Sequence, residues 1–387
     1  MLYKKIQLLI DYVNDKPISV QLTNNEVSKL IDICKGHSLL PLLYKACLKY
    51  EIKLDDKQSS FLRKQYNYQL MKEATQQCEL EMILTEFNNQ KIKCLPLKGI
   101  FLKDLYPSQE LRTMGDLDIL VMDKDLKRVK KILVNYGYDC RKSGGKDDAY
   151  HKDPFMHVEI HRIMVDGNFE LIADYYKNIW DVIKPINENS NIYKMTNEDF
   201  YIHMISHIAS HYATSGIGIR FVFDVWLFLK KYEESMNFDY INHELDKINL
   251  LKFNNNFTSM TFKWFKGIET SELEESMSLY IFNSGTFGTL KNKQSVELVL
   301  GKNGMKSFKT SKFLYMIKLI FPSFKYMKNR NVILKKIPIL LPYFYVQRLF
   351  VALSRKKKLA IQSIKGLDDF NKDYSEKLKK LHEDSGI

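Results

Sequence analysis

The chain has 387 residues, 45% of them hydrophobic, and a formal net charge of +13. That length suits about two to three domains with an ample core. Five cysteines, an odd number with no CxxC pair, exclude a disulfide framework and a zinc ribbon and point to a reducing cytoplasm.

MLYKKIQLLIDYVNDK has too short an apolar stretch before Asp11 for a signal peptide. No run of the chain approaches the roughly 18 to 20 uncharged residues of a membrane-spanning helix. The expectation is a soluble, cytoplasmic protein, with peripheral membrane contact left open. Residues 1–75 read as a helical region: NNEVSKLIDICKGH opens on a capping Asn with a helical apolar period. SSFLRKQYNYQLMKEATQQCELEMILTEFNNQ is one long helix. KIKCLPLKG then reads as a strand, IFLKDLY as a brief helix stopped by Pro107, and DLDILVM as a strand. DKDLKRVKKILVNYGY is a helix ending at Gly137, and DCRKSGG with KDDAYHKD gives a strand and a polar turn. MHVEIHRIM is the next strand, its period of two placing His157, Glu159 and His161 on one face. Strand signals fade from about 166. The expected organisation is α+β: a small mixed sheet with helices at 76–165, a helical domain at 166–300 and a basic helical region at 301–387.

Asp116 and Asp118 sit two apart on a predicted strand, so both side chains leave the same face. Two carboxylates held that close disfavour each other's ionisation. A divalent cation offsets that repulsion, because Mg²⁺ takes carboxylate oxygens together with substrate phosphates. Glu159, on a second strand some forty residues on, completes a three-carboxylate set if the two strands are neighbours. The plainer reading makes DLD a polar strand start and Glu159 an exposed strand residue.

Lys98-Gly99, Arg112, Asp116-Leu117-Asp118 and Glu159-Ile160-His161 follow in the order that resembles the bacterial uncharacterised nucleotidyltransferase family of the DNA polymerase β-like superfamily. The resemblance extends through the His-rich helix, GIRFVFDVWLFL and LIFPS to KIPILLPYFYVQR, covering most of 75–360. It implies a nucleotidyltransferase-type sheet and transfer of a nucleoside monophosphate from an NTP, expected to be ATP, to a hydroxyl-bearing acceptor with release of pyrophosphate. The acceptor classes it allows are a protein, a sugar, a small molecule or an RNA end. Asp116, Asp118 and Glu159 would be the catalytic and metal-holding residues for two Mg²⁺ ions, with Mn²⁺ as the alternative, and Glu159 would otherwise take the acceptor proton. Lys98, Gly99, Arg112 and His161 would contact nucleotide or orient the carboxylates. The superfamily's usual Gly-Gly or Gly-Ser is absent, since Ile100 follows Gly99. Phosphate attraction then rests on the amides after Gly99, at a helix N-terminus, and on the Lys98 charge.

His203, His207 and His211 recur every four residues on one helix. Met204 stands where HExxH needs a glutamate, so the stripe reads as a polar seam or cleft wall rather than a zinc site. Arg220 and Asp224 are expected to pair within their helix. Residues 301–366 hold 16 Lys/Arg and no Asp/Glu, with aromatics between them. That stretch supports a second function class: a nucleotidyltransferase-like binding protein, active or not, docking on RNA or an anionic membrane surface. The plain alternative is a helical cap with solvated lysines.

Overall fold

In the computed structural model, β1 (Cys94–Pro96), β2 (Leu117–Val121), β3 (Asp139–Lys142), β4 (Asp147–Lys152) and β5 (Met156–His161) form one mixed sheet in the order β1-β2-β5-β4-β3. The structure describes residues 1–144, 147–165, 169–286, 288–299, 317, 321–324, 327, 333–334, 337–354 and 372–387. Most of the acid-free stretch, with Arg355–Lys358, lies outside them.

The hydrophobic run Leu117, Ile119, Leu120, Val121 is fully buried, which fits a strand covered on both faces rather than an alternating one. β2 pairs antiparallel with β1 and parallel with β5, and β5 pairs antiparallel with β4. Parallel pairing demands a crossover, and α6 (Leu126–Asn135) with the β3–β4 hairpin supplies it. Val129, Ile132 and Leu133 form the buried stripe of α6. They pack with Leu80, Ile83 and Phe87 of a long helix, α4 (Asp56–Asn89), over Ile119, Val158 and Ile160 of the sheet.

α4 starts at a capping box in which Asp55 and Gln58 exchange side-chain and backbone bonds. Farther along, Glu79 accepts from Tyr138 at 2.8 Å and also from Lys152, tying the helix to the sheet. α4 is continuous through residues 75 and 76, the expected boundary between the N-terminal helical region and the sheet-bearing core.

The remaining helices, Leu341–Ser354 apart, build a second layer. They are α1 (Gln7–Val13), α2 (Asn24–Gly36) and α3 (Leu40–Lys49) before the sheet and α5 (Gly99–Leu102) within it. After it come α7 (Glu170–Tyr175), α8 (Ile179–Val182), α9 (Asn197–Tyr212), α10 (Ile219–Tyr232), α11 (Phe238–Lys247), α12 (Leu251–Lys266), α13 (Glu272–Ser284), α14 (Leu290–Val299), α15 (Leu341–Ser354) and α16 (Lys372–Ser385). One continuous core joins Leu9 and Leu43 of the N-terminal helices to Ile205, Phe223 and Trp264 of α9, α10 and α12. The first helices thus pack with the later helical half.

The α+β class expected from the sequence is the one observed. Two elements differ from expectation. Strand β2 begins at Leu117, leaving Asp116 just ahead of it. A two-residue pair, β6 (Lys184–Pro185) with β7 (Tyr193–Lys194), occurs where strand signals had faded. It leans on the sheet edge, with the Cys94 amide donating to the Asn191 carbonyl at 2.9 Å.

Candidate active site

Parallel pairing of β2 with β5 sets Asp118 directly opposite Glu159, in a register that also pairs Leu117 with Val158 and Leu120 with His161. Because side chains alternate along a strand, His157, Glu159 and His161 share the face that carries Asp118. Asp116 lies just before β2 on the same side, so the three carboxylates converge. Ligand atoms of Asp116, His157 and Glu159 lie within 4.8 Å of one another, and so do those of Asp118, Glu159 and His161. Glu159 belongs to both groups. These are the metal-competent groups among the described residues, and the His203–His207–His211 stripe is not among them.

The carboxylates are not equivalent. Asp118 is held well below the usual carboxylate range: burial alone would raise it, but the Lys98 ammonium and a hydrogen bond from His161 outweigh that. Its partners are close, with Lys98 Nζ at 3.3 Å from Oδ2 and His161 Nε2 at 2.8 Å from Oδ1. Asp116 is raised, first by burial and then by the charge of Asp118. Glu159 is raised by burial and then by Asp116. Two of the three acids therefore gain from a cation placed between them, which is the donor set a hard divalent ion takes.

Lys98 reaches Asp118 from a backbone that few non-glycine residues adopt, φ +45° and ψ −105°. Gly99 follows at a point of close approach: a Cβ there would stand 2.8 Å from Met114 Sδ and 2.9 Å from Arg112 Nη1. The expectation that amides after Gly99 face a phosphate needs correction. The helix they open is one turn long, and the amides of Ile100, Phe101 and Leu102 already donate to the carbonyls of Leu97 and Lys98. Positive charge near the carboxylates comes from side chains instead.

Arg112 gives Nε and Nη2 to Asp224 at 2.7 and 2.8 Å, leaving Nη1 against Gly99. The expected pair of Arg220 with Asp224 within α10 is also corrected. Arg220, in the first turn, reaches out to the Thr113 carbonyl at 2.7 Å, whereas Asp224 turns inward to Arg112.

These residues line a cleft of about 400 Å³ between the sheet and α9–α10, within the range of small-ligand sites. α9 forms the far wall. Phe200 and Met204 make its apolar end, His207 and His211 its polar end, and Phe221 and Arg220 close it. His207 and His211 meet edge to face at 4.5 Å. His203 lies between the two ends, 1% exposed, with neither ring nitrogen hydrogen-bonded.

His157 and Lys72 were missed as site residues. His157 was legible from the period of β5, lying 3.6 Å from Glu159. Lys72 feels the Asp116 charge from the middle of α4, and nothing in a long helical pattern marks such a position.

A family model described as "Uncharacterised nucleotidyltransferase" matches residues 23–266, more than half of the chain. No curated protein and no solved structure matches it.

Proposed function

The chain belongs to the uncharacterised nucleotidyltransferase family, and from that premise we propose that it transfers a nucleoside monophosphate from an NTP to a hydroxyl-bearing acceptor, releasing pyrophosphate. The observation that carries this reading is the registered pair Asp118–Glu159, with Asp116 beside it, at the mouth of the cleft. Asp116, Asp118 and Glu159 would hold divalent cations, Mg²⁺ first and Mn²⁺ as the alternative. A bound cation would neutralise the triphosphate and polarise the transferred phosphoryl group.

The chain's own groups supply the rest. Lys98 exchanges its Asp118 contact for a phosphate oxygen, acting as a point charge beside Gly99. The acceptor oxygen attacks the α-phosphorus as the bond to the β-phosphate oxygen breaks, and the acceptor proton passes to Glu159 where that carboxylate is not itself a cation ligand. His161 orients Asp118. The wall of α9, with His203 unbonded within it, contacts the bound nucleotide or acceptor through a ring nitrogen, since a buried polar group without a partner is costly.

The test is pyrophosphate release from each NTP, ATP first, with Mg²⁺ or Mn²⁺ and with fractionated cell extract as acceptor source. Label from an α-phosphate-labelled NTP should appear in one acceptor fraction with the native chain and vanish with Asp118→Asn. Transfer that persists undiminished in that variant would overturn the reading.

A further inference from the structure

Arg220 lines the cleft with Asp116, Asp118 and Glu159, yet its charge has no carboxylate of its own. Asp224, one turn along α10, accepts from Arg112 on both oxygens and from the Tyr106 hydroxyl as well. Arg220 is left with neutral acceptors: Nη1 donates to the Thr113 carbonyl at 2.7 Å and to its hydroxyl at 3.2 Å. Nε has no hydrogen-bond partner, and Nη2 has none among the described residues. That edge is the one by which a guanidinium takes two oxygens, as Arg112 takes Asp224. Burial pushes the Arg220 pKa down and the Arg112 charge adds to it, against the pull of Asp224 and Asp116. A desolvated cation with no close anion is costly, so the position gains from an anion that enters the cleft beside it.

Two features favour an anion with several charged groups. The first is position: the bonds to Thr113 fix Arg220 on the loop that runs into Asp116, whereas Lys98 stands 3.3 Å from Asp118. The two cations therefore flank the carboxylates, and a ligand with more than one phosphate can meet both. The second is excess charge. Lys72 of α4 feels both Arg220 and Asp116, and it too lacks an ion pair among the described residues. A monoanion would leave much of this charge unmet. A chain of phosphates has the charge and the oxygens to meet it, and the guanidinium fork matches phosphate geometry. We propose that Arg220, with Lys98 across the carboxylates, holds the pyrophosphate part of the nucleoside triphosphate, the part released on transfer. This inference rests on the transferase reading and names the side of the cleft that the leaving group occupies.

The test is calorimetric titration of the full chain with inorganic pyrophosphate, ATP and AMP in Mg²⁺ without acceptor, which needs no turnover. Arg220→Gln keeps a donor for the Thr113 carbonyl but loses the charge. It should bind pyrophosphate and ATP about tenfold more weakly or worse, with AMP affinity unchanged. Arg220→Lys should recover part of the loss, as a point charge without the fork. If urea melts show that the glutamine variant does not fold, the native chain supplies a second reading. Its Arg220 Nε signal in a ¹⁵N spectrum, assigned from Arg220→Lys, should move with pyrophosphate and stay in place with AMP. Equal weakening of all three ligands would make Arg220 an anchor of the Thr113 loop alone and overturn the proposal. So would unchanged pyrophosphate affinity in the glutamine variant, or no pyrophosphate binding by the native chain. The transferase reading fails separately: pyrophosphate held through Arg220 by a chain that transfers no nucleotide would keep this site and lose the reaction.

Discussion

Arg112, on the segment leading into β2, and Asp224, in the middle of α10, form a buried two-bond ion pair at 2.7 and 2.8 Å. The Tyr106 hydroxyl donates to the same Asp224 carboxylate at 2.9 Å. This pair couples the sheet half to the helical half directly behind the carboxylates, four residues upstream of Asp116. Truncating one partner leaves the other charge buried and uncompensated, so Asp224→Ala should cost about 3–5 kcal/mol in urea unfolding. The double variant Arg112→Met, Asp224→Leu removes both charges and should recover most of that loss. It should still transfer slowly, because the loop that carries Asp116 has lost its anchor. If the double variant were as unstable as the single one, packing rather than charge would explain the site.

The two aspartates should respond in opposite directions to the same change. Asp118 has Lys98 and His161 as partners, so Asp118→Asn removes attraction and should destabilise the fold by about 1 kcal/mol. Asp116 sits at a raised pKa, held there by burial and by Asp118, so Asp116→Asn relieves repulsion and should be neutral or stabilising at pH 7. Both should abolish transfer. Thermal melts without metal give the signs, and equal signs would mean the carboxylates share one environment.

Lys98 joins strain to charge. Lys98→Ala removes the ammonium and keeps the positive φ, and should weaken NTP binding by about 1–3 kcal/mol. Lys98→Gly removes the same charge but suits the backbone, and should be more stable than the alanine variant by about 1 kcal/mol. Calorimetric titration with NTP and a urea melt separate the two effects. Equal nucleotide affinity in the native and alanine chains would leave Lys98 a partner of Asp118 alone.

Local patterns in the sequence carried the elements that shape the site. The buried run of β2 and the alternation of β5 were readable, and with them the shared face of His157, Glu159 and His161. What sequence spacing left open was partnership. Arg220 and Asp224 stand four apart on a helix, where a pair is the local expectation, yet Asp224 meets Arg112, 112 residues away. Whether β2 and β5 are neighbours depends on the crossover through α6, β3 and β4, which no short pattern encodes. The amides after Gly99 illustrate a third limit: a Lys-Gly pair ahead of a short apolar stretch suggested a phosphate-facing helix start, but not that the amides of Ile100, Phe101 and Leu102 would be taken up by the carbonyls of Leu97 and Lys98.

His203 yields the remaining prediction, a dependence of stability on pH. Its pKa is pushed down to about 3, first by burial and then by the Lys98 charge. Burial likewise pushes His37 and His382 down to about 4, against a hydrogen bond to the Phe282 carbonyl in the case of His37. A lowered histidine pKa means that the unfolded chain binds protons that the native state refuses. From an unfolded value near ~6.5 down to the folded value, stability should therefore fall as pH falls, by roughly 1 kcal/mol per pH unit for each histidine. The loss should be absent above pH 7 and cease, for each residue, below its folded pKa. His203→Phe keeps a ring against Tyr176, whose edge meets it at 5.5 Å, and has nothing to protonate. Urea midpoints between pH 7.5 and 5 should thus fall less steeply in this variant than in the native chain. A parallel slope would show that His203 takes up its proton as readily in the fold as in the unfolded chain.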